Sequence, residues 1–332
     1  MIPKNDVPPE SLVETSWLLM LSGGLILASV TILVAFLMFS RGRDAKGNPD
    51  VFGKLVTVND VTSRYKTTWT PGAFWPSKLS HGNDRSGSVL FGAVWVFLCV
   101  WLGFSGVYLV IAGAMVEIEV FREHAHLRAA GLVALACCLC AVWPILVRIG
   151  ARPNSATNQT DQAPLKKMQG VQGVPPRRDA TSGVWLWIAC VVLAIAWVLA
   201  LVASAELQPW SLPGPQYGTL LFLAPGYGLF TGWLLYAAFL NAGVAMNFYS
   251  YPEGTVAPSG DSKYADRGSV FPLIAAAIVA ASSIAIPDPA QPLPMAVALL
   301  LFTPKYTTNL VAGGIALVAS AIAAWRVYEL WT

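Results

Sequence analysis

Long apolar runs separated by short or polar connections dominate the pattern of this chain. The runs fall at 16–40, 88–115, 128–148, 183–204, 217–247, 270–286 and 309–331. Most approach the ~20 residues that a helix needs to cross ~30 Å of hydrocarbon. Between the last two lies "PLPMAVALLLFT" (292–303), which is short for a span. It reads either as a thin eighth span, prolonged by "PKYTTN", or as a re-entrant segment. The pattern predicts an all-α polytopic membrane protein, a bundle of about seven to eight transmembrane helices, in a multi-pass integral location.

The polar connections orient that bundle. Segment 41–85 holds eight Lys and Arg residues and 148–178 holds six, whereas one precedes Trp17 and none falls in 205–216 or 287–291. The positive-inside rule places the two long loops on the cytoplasmic side and the N-terminus opposite. With eight spans the C-terminus joins the N-terminus. Residues 1–45 read as a retained anchor helix, because the apolar run exceeds a signal-peptide core and acidic residues precede it. Residues 46–87 read as a cytoplasmic-side loop whose "WTPGAFWPSKL" (69–79) lies at the interface. Residues 88–332 form the bundle. Its insertion 152–179 is polar, rich in proline and glutamine, and expected to be disordered. The Asn158 sequon falls on the cytoplasmic side, which argues against its use.

Composition sharpens the class. Charged residues make up 12% of the chain and hydrophobic ones 55%, against about 25% charged in soluble domains. The net charge of +3 lies mostly in loops and gives no reason to expect a nucleic-acid partner. The five cysteines, including "CCLC" (137–140), all sit in apolar runs. They read as small hydrophobes, not a disulfide framework or a cluster motif. Ionisable residues are missing from the depth of the spans, which argues against an ion-driven transporter. No Ser–His–Asp set, P-loop or HExxH motif is present, which argues against a hydrolase.

The candidate chemistry lies in aromatic and amide groups inside the spans. In "PGYGLFTGWLLYAAFLNAG" (225–243), helical spacing groups Trp233, Tyr236 and Asn241, while Gly228 and Gly232 form a GxxxG pair suited to close packing. Trp101 lies too centrally in 88–115 for an interfacial belt, and its N–H needs an acceptor. Two readings fit. Either these side chains pack helix against helix, or they line a cavity for a flat hydrophobic ligand. In "VEIEVFREHAHLR" (116–128), His124 and His126 are weak metal candidates, since residues two apart diverge on a helix. Paired histidines for a haem between spans are absent.

The chain resembles the translocator-protein (TspO/MBR) superfamily, in its tryptophan-rich, sensory-protein-like branch. The resemblance rests on "PGYGLFTGWLLYAAFLN", with Pro225, Gly232, Trp233, Ala237, Ala238 and Asn241 at the matching positions. It rests also on "WTPGAF" and on "FGAVWVFLCVW", with Trp95 at the family's tryptophan. About fifteen extra residues follow "WTPGAF", and the family's Asn–x–x–Trp phrase is missing from the third span, where only Trp143 stands. The resemblance implies a helical bundle with a pocket for porphyrin, sterol or another flat hydrophobic ligand, and roles in transport or sensing. Trp95, Trp101, Trp233, Tyr236 and Asn241 are then the ligand-binding candidates. Expected partners are the lipid bilayer, that small molecule, and a second copy or a larger membrane complex. The alternative from another class is a non-catalytic structural subunit of a photosynthetic or respiratory membrane assembly.

Overall fold

A computed structural model describes residues 9–39, 85–115, 124–150, 180–208, 210, 223–250, 270–302 and 307–332. The interfacial segment 69–79, the insertion 152–179 and the Asn158 sequon lie outside the described residues. Eight α-helical elements are present among the described residues: α1 (Pro9–Phe39), α2 (Arg85–Ala114), α3 (His124–Gly150), α4 (Ala180–Leu207), α5 (Ala224–Ser250), α6 (Val270–Ala285), α7 (Leu293–Val297) and α8 (Thr307–Trp331). No strand occurs among these residues. In lipid this is the expected outcome, because a helix satisfies its own backbone donors and acceptors.

Five stretches are long and apolar enough to cross a membrane: Val13–Ala35, Val96–Ala114, His126–Leu146, Val184–Leu207 and Thr308–Trp331. They lie in α1, α2, α3, α4 and α8, and their outward faces carry exposed Val, Leu, Ile and Phe. A soluble helix would place polar residues there. The fold thus defines an α-helical membrane protein of the multi-pass class.

Helices consecutive in sequence from α1 to α6 run antiparallel. Across α1 and α2, Ser16 Oγ donates to the Gly113 carbonyl at 2.6 Å, and Gly23 meets Gly106 backbone to backbone. Across α3 and α4, Arg128 pairs with Glu206 at 2.6 Å. Across α4 and α5, Cys190 Sγ donates to the Ala238 carbonyl at 3.3 Å. The same alternation continues to α6. One end of the bundle therefore collects the start of α1, the end of α2, the start of α3, the end of α4, the start of α5 and the end of α6. The connections 40–84, 151–179 and 251–269 all join the opposite end, where the Lys- and Arg-rich sequence is concentrated. This grouping is the one that the positive-inside rule requires.

Helix α5 is the axis. It packs on α2, α4, α6 and α7, and Tyr227, Phe230, Trp233, Leu234, Leu235, Tyr236, Ala237 and Ala238 are all buried. A helix apolar on every side is a core helix. The segment between α6 and α8 is the least regular part. After one turn of α7 the backbone passes into a π-helical turn, Ala298–Phe302. It descends against α8, with Pro289 opposite Ser320 and Leu300 opposite Gly313. Gly313 has no Cβ, and an added one would lie 2.7 Å from Leu300.

Candidate functional site

Two groups of residues meet on α5, one on its α2 side and one on its α6–α7 side. On the first, Trp101 of α2 lies against Gly226. A Cβ there would sit 2.5 Å from the indole Cδ1, so glycine is what lets the ring approach the helix. Trp101 is half-buried and stacks obliquely with Phe97 at 5.3 Å between ring centroids. Phe97 itself is exposed on the outer surface of the bundle. The Trp101 Nε1 atom is buried and makes no hydrogen bond. An indole N–H buried in this way normally has an acceptor.

Trp233 and Tyr236 are buried side by side, their rings 5.5 Å apart. By helical spacing Trp233 shares a face with Gly226 and so belongs to the Trp101 side, while Tyr236 turns further round toward α7. Asn241 is also buried, 2% exposed, and its Nδ2 makes no hydrogen bond. It lies about 140° round the helix from Tyr236 at 100° per residue, so the two amphipathic tips point apart. The structure thus brings Trp101 to the Gly226 face and pairs Trp233 with Tyr236, and it leaves Asn241 on another side. Trp95 falls in α2 and His124 at the start of α3, but the side chains of both lie outside the described residues. His126 is largely buried. Among the described residues no group of three or more His, Cys, Asp or Glu side chains is arranged to hold a metal ion.

On the other side of α5, Gly228 and Gly232 admit a loop. Residues 286–292, "IPDPAQP", fold onto them. A Cβ on Gly228 would lie 2.5 Å from both carboxylate oxygens of Asp288, and one on Gly232 would lie 1.7 Å from the Gln291 carbonyl oxygen. Asp288 and Gln291 are 2% and 1% exposed. A buried loop is tolerated only if its backbone polar groups find partners. Here prolines 287, 289 and 292 carry no N–H at all. Of the remaining amides, Ile286 donates to the Ser282 carbonyl (2.9 Å) and Asp288 to the Ser283 carbonyl (3.2 Å). Ala290 donates to Asp288 Oδ1 (3.0 Å).

The side chains complete the enclosure. Trp210 Nε1 donates to Asp288 Oδ1 at 2.9 Å, and Gln291 Nε2 to Ser282 Oγ at 2.8 Å. Ser320 Oγ donates to the Pro289 carbonyl at 2.6 Å. Arg326 donates to the Ile284 carbonyl, and Trp331 Nε1 to the Trp210 carbonyl at 2.8 Å. Burial pushes the Asp288 carboxyl up to about 6, against the lowering effect of the Ala290, Trp210 and Gln291 donors. Its Oδ2 makes no hydrogen bond of good geometry.

Asp288 was not legible as a site from the sequence. A hydropathy reading treats 287–291 as a turn, and an acidic residue in a turn is normally solvated. The available signal was the proline spacing: three prolines in seven residues deplete the backbone donors that would otherwise keep such a turn in water.

Comparison with known protein families, curated proteins and solved structures returns no match for this chain.

Proposed function

We propose that this membrane protein binds a flat hydrophobic ligand of the tetrapyrrole or sterol type at the α2–α5 face, in transport or sensing. The observation that carries the reading is Trp101. Its ring bridges the exposed Phe97 and the glycine of α5, and its buried N–H has no acceptor. A ligand entering sideways from the bilayer would slide along this aromatic edge and offer a carboxylate, hydroxyl or carbonyl to the indole. Aromatic surface with a few polar groups that fix orientation is the usual make-up of such sites. The resemblance of "PGYGLFTGWLLYAAFLN" to the translocator-protein superfamily supports the same reading. Trp233 and Tyr236 are then the deeper aromatic wall, with Asn241 and Trp95 as further candidates.

The test is a protoporphyrin titration of the purified protein followed by tryptophan quenching, with empty micelles as control. Trp101→Phe keeps an aromatic ring and removes the donor. Saturation at about one equivalent, with affinity weakened about fivefold to tenfold in Trp101→Phe as expected for one lost hydrogen bond, supports the reading. Linear quenching equal to the micelle control ends it for porphyrins.

A second reading has its own support. Trp233 and Tyr236 are covered so completely that they serve packing without any ligand, as they would in a non-catalytic subunit of a larger membrane complex. Stoichiometric partners retained in mild detergent favour that reading, and a clean monomer counts against it.

A further inference from the structure

We propose that Asp288 is a proton-binding site that sets how firmly the loop 286–292 is clamped onto α5: the neutral carboxyl fastens the loop and the ionised one loosens it. The geometry makes the charged form the awkward one. Asp288 is 98% enclosed, since only 2% of it is exposed. Two donors, Trp210 Nε1 and the Ala290 amide, converge on Oδ1, and the Gln291 amide adds a weaker pull toward the ionised form. Oδ2 faces Gly228 without a hydrogen bond. A carboxylate in such surroundings has donors but, among the described residues, no cation to offset the cost of burying its charge. A carboxylic acid can carry its proton on Oδ2 and still accept both bonds on Oδ1.

Among the described residues no counter-ion intervenes. Among the residues whose side chains are described, the charged groups at this end of the bundle are Glu14 of α1, which is exposed, Arg128 and Glu206, which pair with each other, and Arg326 and Glu329. Arg326 donates to Ile284, and Glu329 accepts from Trp325 at 2.7 Å. On α5 the nearest titratable side chain along the chain is Tyr227, one residue from Gly228 and on the adjoining face. Loop 286–292, α6 and α7 carry no other charged residue. None of these groups forms an ion pair or hydrogen bond with Asp288.

The direction of the effect follows from linkage. Asp288 rises from 3.8 when exposed to about 6 when the loop is docked. Stability of docking is therefore fully present below pH 4 and is lost as pH rises through about 6. The opening equilibrium of the loop grows with pH toward a limit on the order of 100-fold, with about a tenfold change between pH 5 and 7.5.

Hydrogen exchange of the full-length protein in micelles reads this directly, through the peptide amides of Asp288, Ala290 and Gln291 corrected for the intrinsic pH dependence of exchange. The wild type is expected to lose about tenfold in protection from pH 5 to 7.5. Asp288→Asn, which keeps an acceptor and cannot ionise, is expected to be protected equally at both. Trp210→Phe removes a donor that favours the ionised form, so its midpoint moves up. Unchanged protection in the wild type overturns the proposal, as does an Asp288→Asn variant that keeps the wild-type profile. Should Asp288→Asn fail to fold, the wild type and Trp210→Phe decide alone, and a Trp210→Phe midpoint that stays or falls overturns it.

Discussion

Replacing Gly232 by alanine places a methyl carbon 1.7 Å from the Gln291 carbonyl oxygen. Even a close C–H···O contact needs about 3.3 Å, so one backbone must retreat by roughly 1.5 Å. The α5 backbone is held by neighbours on several sides, so the loop is the element that moves. That movement strains the bonds of Gln291 to Ser282, of Ser320 to Pro289 and of Trp210 to Asp288. Loss of two such bonds costs about 2 kcal/mol, and overpacking adds ~1–3 kcal/mol. The higher helix propensity of alanine returns about 1 kcal/mol. The net expectation is destabilisation by about 3 kcal/mol. The control is Gly314→Ala on α8, where an added Cβ meets nothing within 4 Å and the change is expected to be neutral or slightly stabilising. Reversible unfolding in mixed detergent micelles measures both. If Gly232→Ala comes within about 0.5 kcal/mol of the Gly314→Ala control, the close approach of loop and helix is not a feature of the protein in solution and the reasoning fails.

Other outcomes follow from the same geometry. Ser320→Ala removes the 2.6 Å bond to the Pro289 carbonyl and should cost about 1 kcal/mol in the same unfolding assay; no change would mean that the carbonyl finds water. Trp233→Ala empties the space beside Tyr236 and should cost about 3–5 kcal/mol, whereas Trp233→Phe should retain most of that stability. Arg128→Ala breaks the pair with Glu206, but Arg128 is 67% exposed, and exposed pairs contribute little. Thermal stability should stay within error in moderate salt, and a clear loss would show that the pair closes the α3–α4 end more tightly than its exposure implies.

Helix positions were legible because apolar length is itself the physical requirement. The described residues of run 16–40 lie on α1, run 88–115 lies on α2 up to Ala114, 128–148 on α3, 183–204 on α4 and 309–331 on α8. The partners of each face were not legible. Hydropathy cannot separate a side chain facing lipid from one facing protein, since both environments are apolar. Val184 and Leu193 of α4 read alike in sequence, yet the first is 51% exposed and the second fully covered. The Gly228–Gly232 pair signalled a close approach, and the spacing named no partner. A second helix was the natural guess, and what arrives is the backbone and carboxylate of a proline-rich loop. Segment 292–303 was visibly too short for an ordinary span. Its division into one α turn and one π turn depends on contacts with α8 that no local pattern encodes. Trp233 and Tyr236 were recognisable as interior aromatics because they sit mid-span, but the divergence of Asn241 from Tyr236 emerges only when the whole helix is wrapped.

The last three helical elements pack chiefly on one another, with α8 against α6, α7 and the π turn, and they meet the rest mainly along α5. Much of that seam is backbone and side chain of 286–292 seated in the glycine notch of α5. Among the described residues, α1–α5 thus make one body and α6–α8 a C-terminal unit that plugs into it. During synthesis the notch exists before its occupant does. Two separately expressed fragments, divided between Ser250 and Val270, should find each other in the membrane and reassemble, and Gly232→Ala should block their union more severely than it weakens the intact chain, where covalent connection keeps the plug near its socket.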